Sequence, residues 1–413
     1  MVTGGQAGFG CTCRPHAPRQ TFIMMINDQF KDAIQACNLN FLIGSGLSRP
    51  FLPTLGKIET WLADLGARDQ LPAETATLIR ASIYKKYFDE VIRENTMILA
   101  DESACHEVRN NYRAFLKAVN LVLLKRKLTL LGKEANLFTT NIDIFLDKSL
   151  EDLNLEYNDG FNGRFKPTFS LSNFKISHFK RSLHYDNTAE IPVFNLLKLH
   201  GSLSWAGGDA AVSFSGDLAH IRAIEKITIS PDHILEVPED ATIDSLITSS
   251  AGKHPDEQTT RFLQAYEDLL IVVNPTKEKF KHSLMNQTYY ELLRLYSNEL
   301  EKENTVLFAM GFSFADEHIR VITLRAANSN PTLLIYVFAH TADAKSEIEA
   351  RFGPTNIKND NIVVIAPEEV SGDDSKYDLP TINKLIFSDI LDQPEEGVDE
   401  EVPEAAHGEA VNK

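Results

Sequence analysis

Phe41-Leu42-Ile43-Gly44-Ser45-Gly46-Leu47-Ser48 is the stretch on which the fold turns. A short apolar run enters two glycines that bracket a serine, and a second serine follows. The run reads as a buried strand, and a Gly-x-Gly turn, lacking Cβ atoms, lets a phosphate approach backbone N–H groups. Alone, the pattern also describes a tight strand-to-helix turn. Later stretches repeat the arrangement. Thr139-Thr140-Asn141-Ile142-Asp143 follows a second apolar run, and Lys198-Leu199-His200-Gly201-Ser202 follows a third. Gly311-Phe312-Ser313 ends a fourth.

Outward from these stretches, short apolar runs alternate with segments of helical spacing. Ile26–Cys37 reads as a helix and Leu39–Ile43 as the first strand. Asn136–Phe138, Val193–Leu199, Leu269–Val273, Thr305–Ala309, Leu333–Phe338 and Ile362–Ile365 read as further strands. Helices are expected at Ile142–Leu150, His282–Lys302, Glu317–Ala327, Asp343–Arg351 and Ile382–Ile390. This alternation predicts an α/β fold, a Rossmann-like doubly wound parallel sheet covered on both faces. Residues 57–131 read as a large helical insertion, and residues 206–256 as a smaller irregular one with weak strands. In such a sheet, ligands sit outside the carboxyl ends of the strands. Gly44–Ser48, Thr140–Asp143, His200–Ser202 and Gly311–Ser313 all take that position, so one nucleotide pocket accounts for all four.

The composition narrows the class. With 413 residues and 43% hydrophobic content, the chain can bury a large core without disulfides. A formal charge of -17 argues against a long nucleic-acid-binding surface, though it leaves room for a local basic patch. No apolar run approaches the roughly 20 residues needed to span a bilayer, and no secretory signal is evident. The expectation is a cytoplasmic protein. The four cysteines, Cys11, Cys13, Cys37 and Cys105, form no disulfide framework, and Cys11, Cys13 and His16 lack the usual zinc spacing. Residues 1–24 read as a disordered leader, with Met24 or Met25 the expected natural start. Residues 392–413 read as a disordered acidic tail. Residues 25–391 between them read as one nucleotide-binding domain.

The motifs Gly44-Ser45-Gly46-Leu47-Ser48, Thr140-Asn141-Ile142-Asp143 and His200-Gly201 resemble, in that order, the cofactor-binding and catalytic motifs of sirtuins. Lys198–Trp205 and Gly311–Ile319 look closer still to the SIR2-like branch of bacterial antiphage defence. The resemblance implies binding of NAD and cleavage of its nicotinamide–ribose bond. On that resemblance, Gly44, Ser45, Gly46 and Ser48 approach the phosphates and ribose. Thr140, Asn141 and Asp143 line the nicotinamide end, with Asn141 orienting the attacking water or ribose hydroxyl. His200, followed by Gly201, acts as general base or polarising partner, and Gly311 and Ser313 face the adenosine half. These residue types suit the chemistry. A carboxylate or amide dipole stabilises positive charge developing on the ribose, and a histidine exchanges protons near neutral pH. Each residue also has a plainer reading. Asn141 and Asp143 can cap the next helix, His200 and Ser313 can be turn residues, and Asp316 and His318 are expected to cap and pack a helix.

Deacylating sirtuins carry a structural zinc module built from paired Cys-x-x-Cys elements after the catalytic histidine. No cysteine follows His200, so no structural zinc is expected. The Asp-Phe-Arg of many deacylases is also missing; Arg49-Pro50-Phe51 stands nearby instead. The absence of the zinc module weakens deacylation without excluding it and fits the defence branch, whose members mainly hydrolyse NAD. The first expectation is therefore an NAD glycohydrolase that depletes NAD during infection. Its control is expected from self-assembly into a homo-oligomer or from a partner such as a HerA-type hexameric ATPase, with the helical insertion as the interface. The alternatives are an NAD-dependent deacylase or ADP-ribosyltransferase, and a non-catalytic sensor of NAD or ADP-ribose. No acidic metal-binding cluster supports nuclease activity.

Overall fold

Six apolar runs and one short edge segment build a single parallel sheet. Its strands are β1 (Asn38–Ile43), β2 (Glu134–Thr139), β3 (Tyr157–Asn158), β4 (Val193–Lys198), β5 (Thr305–Met310), β6 (Leu333–Phe338) and β7 (Ile362–Ile365). Their spatial order is β7-β6-β5-β1-β2-β4-β3, with every neighbouring pair parallel. The computed structural model describes residues 29–391 apart from 31, 55, 127–130, 208–210, 274–282, 354–356 and 371–375. The expected leader and acidic tail, with Cys11, Cys13 and His16, lie outside the described residues.

Strand alternation sends successive side chains to opposite faces, and each face has its own core. Phe41, Ile43, Phe308 and Tyr336 pack against α1 (Lys57–Gly66), α2 (Ala73–Tyr87), α3 (His106–Lys125), α4 (Phe145–Asp152) and α5 (Glu257–Leu269), with the helix Leu379–Leu391. Leu42, Leu307, Ala309 and Ile335 pack against α6 (Ser283–Leu300), α7 (Glu317–Ser329) and α8 (Ala342–Phe352). Strands buried on both sides need continuous apolar sequence, which explains why β5 and β6 read so plainly. The chain leaves β1 towards β2 on one side and later returns to β5 on the other. That reversal makes the carboxyl ends of β1 and β5 a topological switch point, where open α/β sheets take their ligands. Among the described residues, no helix is long and apolar enough to cross a membrane.

Two expectations about elements change. Leu269–Val273 is not a strand. Asp256 caps α5 by accepting from Thr259 N (2.8 Å), the helix runs through Leu269, and Val272 forms only one antiparallel bridge, to Gly201. A short buried apolar run fits a helix end as well as a strand, and here β3 already pairs the outer edge of β4. The irregular insertion is also more helical than expected, with Ala219–Glu225 and a capped Ile243–Ser249.

A buried polar ladder runs through the second face. Asn40, Asn136 and Asn195 stand side by side on β1, β2 and β4. Asn136 Nδ2 donates to Asn40 Oδ1 (2.8 Å) and to Glu299 Oε2 of α6 (3.2 Å), and Asn195 Nδ2 donates to Asn136 Oδ1 (2.9 Å). A slip of one residue would face these amides into the opposite apolar core, so the ladder fixes register as well as satisfying buried groups. Removing its centre strands three partners at once. Asn136→Ala is expected to lower stability by about 2–4 kcal/mol, read as a reduced urea midpoint with an unchanged denaturant slope.

Candidate active site

At the switch point, the loops after β1 and β5 touch backbone to backbone. Gly44 N donates to Met310 O (2.9 Å) and Gly46 N to Gly311 O (3.1 Å). A Cβ on Gly44 would lie 2.3 Å from Gly311 O, and Gly311 itself has a φ of +61° with Leu47 N 2.8 Å from where its Cβ would stand. These glycines are needed because two chains share a space that side chains cannot enter. The two glycine N–H groups thus point at carbonyls within the protein rather than into the cleft. Ser45–Ser48 then forms a single 3₁₀ turn.

That turn delivers Ser48 to a buried polar floor. Ser48 Oγ donates to Asp143 Oδ2 (2.8 Å), lies 3.2 Å from Tyr112 OH of α3, and accepts from Asn141 Nδ2 (3.3 Å). Asn141 Nδ2 also donates to Gly44 O (3.2 Å), and Asn141 N donates to Thr139 Oγ1 (3.0 Å). Both amide hydrogens of Asn141 are therefore held by β1-loop oxygens. Its Oδ1 is buried and makes no hydrogen bond to the described residues. Asp143 Oδ1 accepts from Phe145 N (3.1 Å), and Lys198 Nζ, itself paired with Asp147 (2.7 Å), donates to the Asp143 carbonyl. Burial pushes the Asp143 carboxyl above the ordinary carboxylate range, opposed by the Lys198 charge and the Ser48 hydroxyl. Burial, reinforced by Asp143, also raises the phenols of Tyr87 and Tyr112, keeping both protonated at neutral pH.

The wall is built from β4 and β5. Gly201 follows His200 at a φ of +79°, and a Cβ there would lie 2.3 Å from Ile271 O. Val273 N donates to His200 O (2.9 Å), so the crossing segment after α5 pins the histidine backbone. His200 Nε2 lies 3.1 Å from Asp316 Oδ2, and its ring sits 6.2 Å from that of Tyr289.

The resulting cleft has a volume of about 480 Å³. Ser45, Gly46, Ser48, Thr140, Asn141, Asp143, His200, Gly311 and Ser313 all line it. Gly44 and Gly201 stand behind it and hold its loops. A second cavity of about 520 Å³ begins across the Gly46–Gly311 contact and shares Pro53, Thr54, Phe312 and Ser313 with the first. Among the described residues, no group of three or more His, Cys, Asp or Glu side chains could hold a metal ion.

Four contributors escaped the reading of the sequence. Tyr112 and Tyr87 come from the helical insertion, and nothing in their local sequence distinguishes them from core tyrosines. Lys198 closes a strand that reads as apolar. Asp316 does cap α7, accepting from His318 N (2.9 Å) and Ile319 N (3.1 Å), but only through Oδ1. The other oxygen faces His200. A cap signature is blind to that second oxygen.

The raised Asp143 carboxyl makes the floor pH-sensitive. A folded-state value above the unfolded one means the folded protein binds the proton more tightly, so stability falls as pH rises from about 4 through the folded value. Asp143→Asn removes this dependence and can keep its oxygen on Phe145 N. The variant is expected to match the wild type in acid and to exceed it increasingly towards neutral pH. Urea midpoints across that range check the sign; a constant difference would show that Asp143 is not the titrating group.

Comparison with known protein families matches residues 135–365 to the SIR2-like domain. The match runs from β2 to β7 and contains Asn141, Asp143, His200, Gly311 and Ser313, while Gly44–Ser48 precede it. No curated protein matches the chain. A match over more than half of the 413 residues, on an α/β sheet whose cleft opens at the switch point, establishes that the chain belongs to the SIR2-like family.

Proposed function

We propose that the cleft hydrolyses NAD+ to nicotinamide and ADP-ribose. SIR2-like proteins are NAD-related enzymes in general, and the specific reaction is inferred from the side chains. One observation carries the reading: the buried Asn141 amide, with Nδ2 pinned and Oδ1 lacking a hydrogen-bond partner among the described residues, beside the buried Asp143 carboxyl. Two adjoining cavities, meeting at a backbone junction of small residues, suit a ligand with two nucleotide halves.

The chemistry follows from charge. When the nicotinamide–ribose bond breaks, its electron pair goes to the pyridinium nitrogen, which becomes neutral, and positive charge develops on the ribose. A fixed amide oxygen and a nearby carboxyl, shielded from water, stabilise that charge more than solvent would. Asn141 Oδ1 would hold a water against the anomeric carbon, removing part of the entropic barrier. As the water oxygen bonds to that carbon, His200 takes its proton and returns it to solvent. The products are nicotinamide, ADP-ribose and one proton.

The proposal extends to biology on the family resemblance alone. An enzyme that depletes NAD in the cytoplasm suits antiphage defence, and it has to be restrained by self-assembly or by a partner such as a HerA-type ATPase. Nicotinamide release from NAD+ by purified protein, without acyl-peptide, is the direct test. Asn141→Ala and His200→Ala are each expected to reduce release by about 10²-fold or more. Release that requires an acyl-peptide would assign a deacylase instead, and no release by either route, with or without a co-purified ATPase, would remove the hydrolase reading.

A further inference from the structure

We infer that Asp316 is a positioning residue for His200, one carboxylate that caps α7 with one oxygen and orients the catalytic imidazole with the other. The inference rests on the hydrolase reading for its kinetic consequence, but not for its geometry.

Three observations meet at this side chain. Asp316 Oδ1 accepts the first free amides of α7, from His318 and Ile319, which fixes the carboxylate plane. Oδ2 then lies 3.1 Å from His200 Nε2, a buried nitrogen; the contact is at charge-pair distance without hydrogen-bond alignment, and no other group among the described residues hydrogen-bonds this nitrogen. Tyr289 packs beside the imidazole at 6.2 Å and beside His318 at 6.3 Å, so the ring is bracketed by groups from α6 and the start of α7. His200 is only 20% exposed and Asp316 14%, so solvent screens their interaction weakly.

An ionised carboxylate only accepts. At 3.1 Å it therefore favours a hydrogen on Nε2, which leaves Nδ1 as the nitrogen that can receive a proton in the cleft. The same carboxylate stabilises the imidazolium once that proton arrives. Helix and base are coupled through one side chain: a shift of the α7 N-terminus moves the oxygen that sets the tautomer.

Substitution separates the two roles. Asparagine caps helices as well as aspartate does, so Asp316→Asn keeps Oδ1 on His318 and Ile319. Its Nδ2, a donor, then stands where Oδ2 stood. His200 Nε2 must accept, and the proton moves to Nδ1, the nitrogen that should be receiving one. A base holding its proton on the wrong nitrogen is inactive although in place.

The experiment compares wild type, Asp316→Asn and Asp316→Ala in the full chain. Nitrogen NMR of histidine-labelled protein without NAD, with His200→Gln to assign the signal, reads the tautomer. We expect Nε2–H in the wild type and Nδ1–H in Asp316→Asn, at an unchanged thermal midpoint. Nicotinamide release by Asp316→Asn is expected to lose about 10²-fold or more in kcat, with KM within about twofold. A wild-type tautomer and wild-type kcat in Asp316→Asn would reduce Asp316 to a helix cap and overturn the inference. If the wild type releases no nicotinamide, the hydrolase reading fails, and the NMR comparison still decides whether Asp316 orients His200. Asp316→Ala, which loses cap and partner together, should lower the thermal midpoint; an unaltered midpoint would refute the capping half.

Discussion

Two loops that occupy nearly the same space organise this protein. The segments after β1 and β5 approach until only hydrogen fits between Gly44 and the Gly311 carbonyl, and two backbone hydrogen bonds fasten them. Those strands are neighbours because the sheet reverses its winding there. The contact therefore joins the two halves of the fold at the point where they could otherwise separate. It also makes the floor possible, because Gly44 O and Ser48 are both placed by the turn that the contact fixes, and both hold Asn141. A methyl group on Gly44 would disturb the sheet junction and the site together.

Much of the sheet was legible because its strands are buried on both faces. Thr305–Met310 and Leu333–Phe338 are continuous apolar runs inside the sheet, and they emerge with nearly their expected limits, as does the half-buried edge strand Ile362–Ile365. Leu269–Val273 has the same composition and a different fate, because burial by neighbouring helices and burial within a sheet make the same demand on side chains. Only the prior claim of Tyr157–Asn158 on the edge of β4 separates them, and that claim is tertiary.

The site was legible in its loop residues and illegible in its supports. Strand-end loops advertise themselves by polar residues and glycines interrupting apolar runs, so Asn141, Asp143, His200 and Ser313 stand out. Tyr112 sits among apolar residues of a long amphipathic helix and differs from Tyr296, a core tyrosine bonded to Thr323, only in what its hydroxyl meets. Asp316 shows a related loss. A side chain with two acceptor oxygens can satisfy a local rule and a distant partner together, and sequence displays only the local one.

The polar floor runs against the stability of the core around it. Asp143, Lys198, Asn141 and Tyr112 are buried among side chains that would pack well with apolar substitutes, and the Asp143 carboxyl is pushed towards neutrality. Buried polar groups of this kind are tolerated when each is hydrogen-bonded, and here nearly every one is. Asn141 Oδ1 is the exception, a buried acceptor without a hydrogen-bond partner among the described residues, on a residue that lines the cleft. The helical insertion supplies the hydroxyl of Tyr112, 3.2 Å from Ser48, so the network spans the insertion and the sheet. Ser48 has one proton and three close oxygen or amide partners. Withdrawing Tyr112 would remove one of those partners and leave Asp143 and Asn141 to hold Ser48. The packing of the insertion against the sheet is thus part of what holds the floor in place.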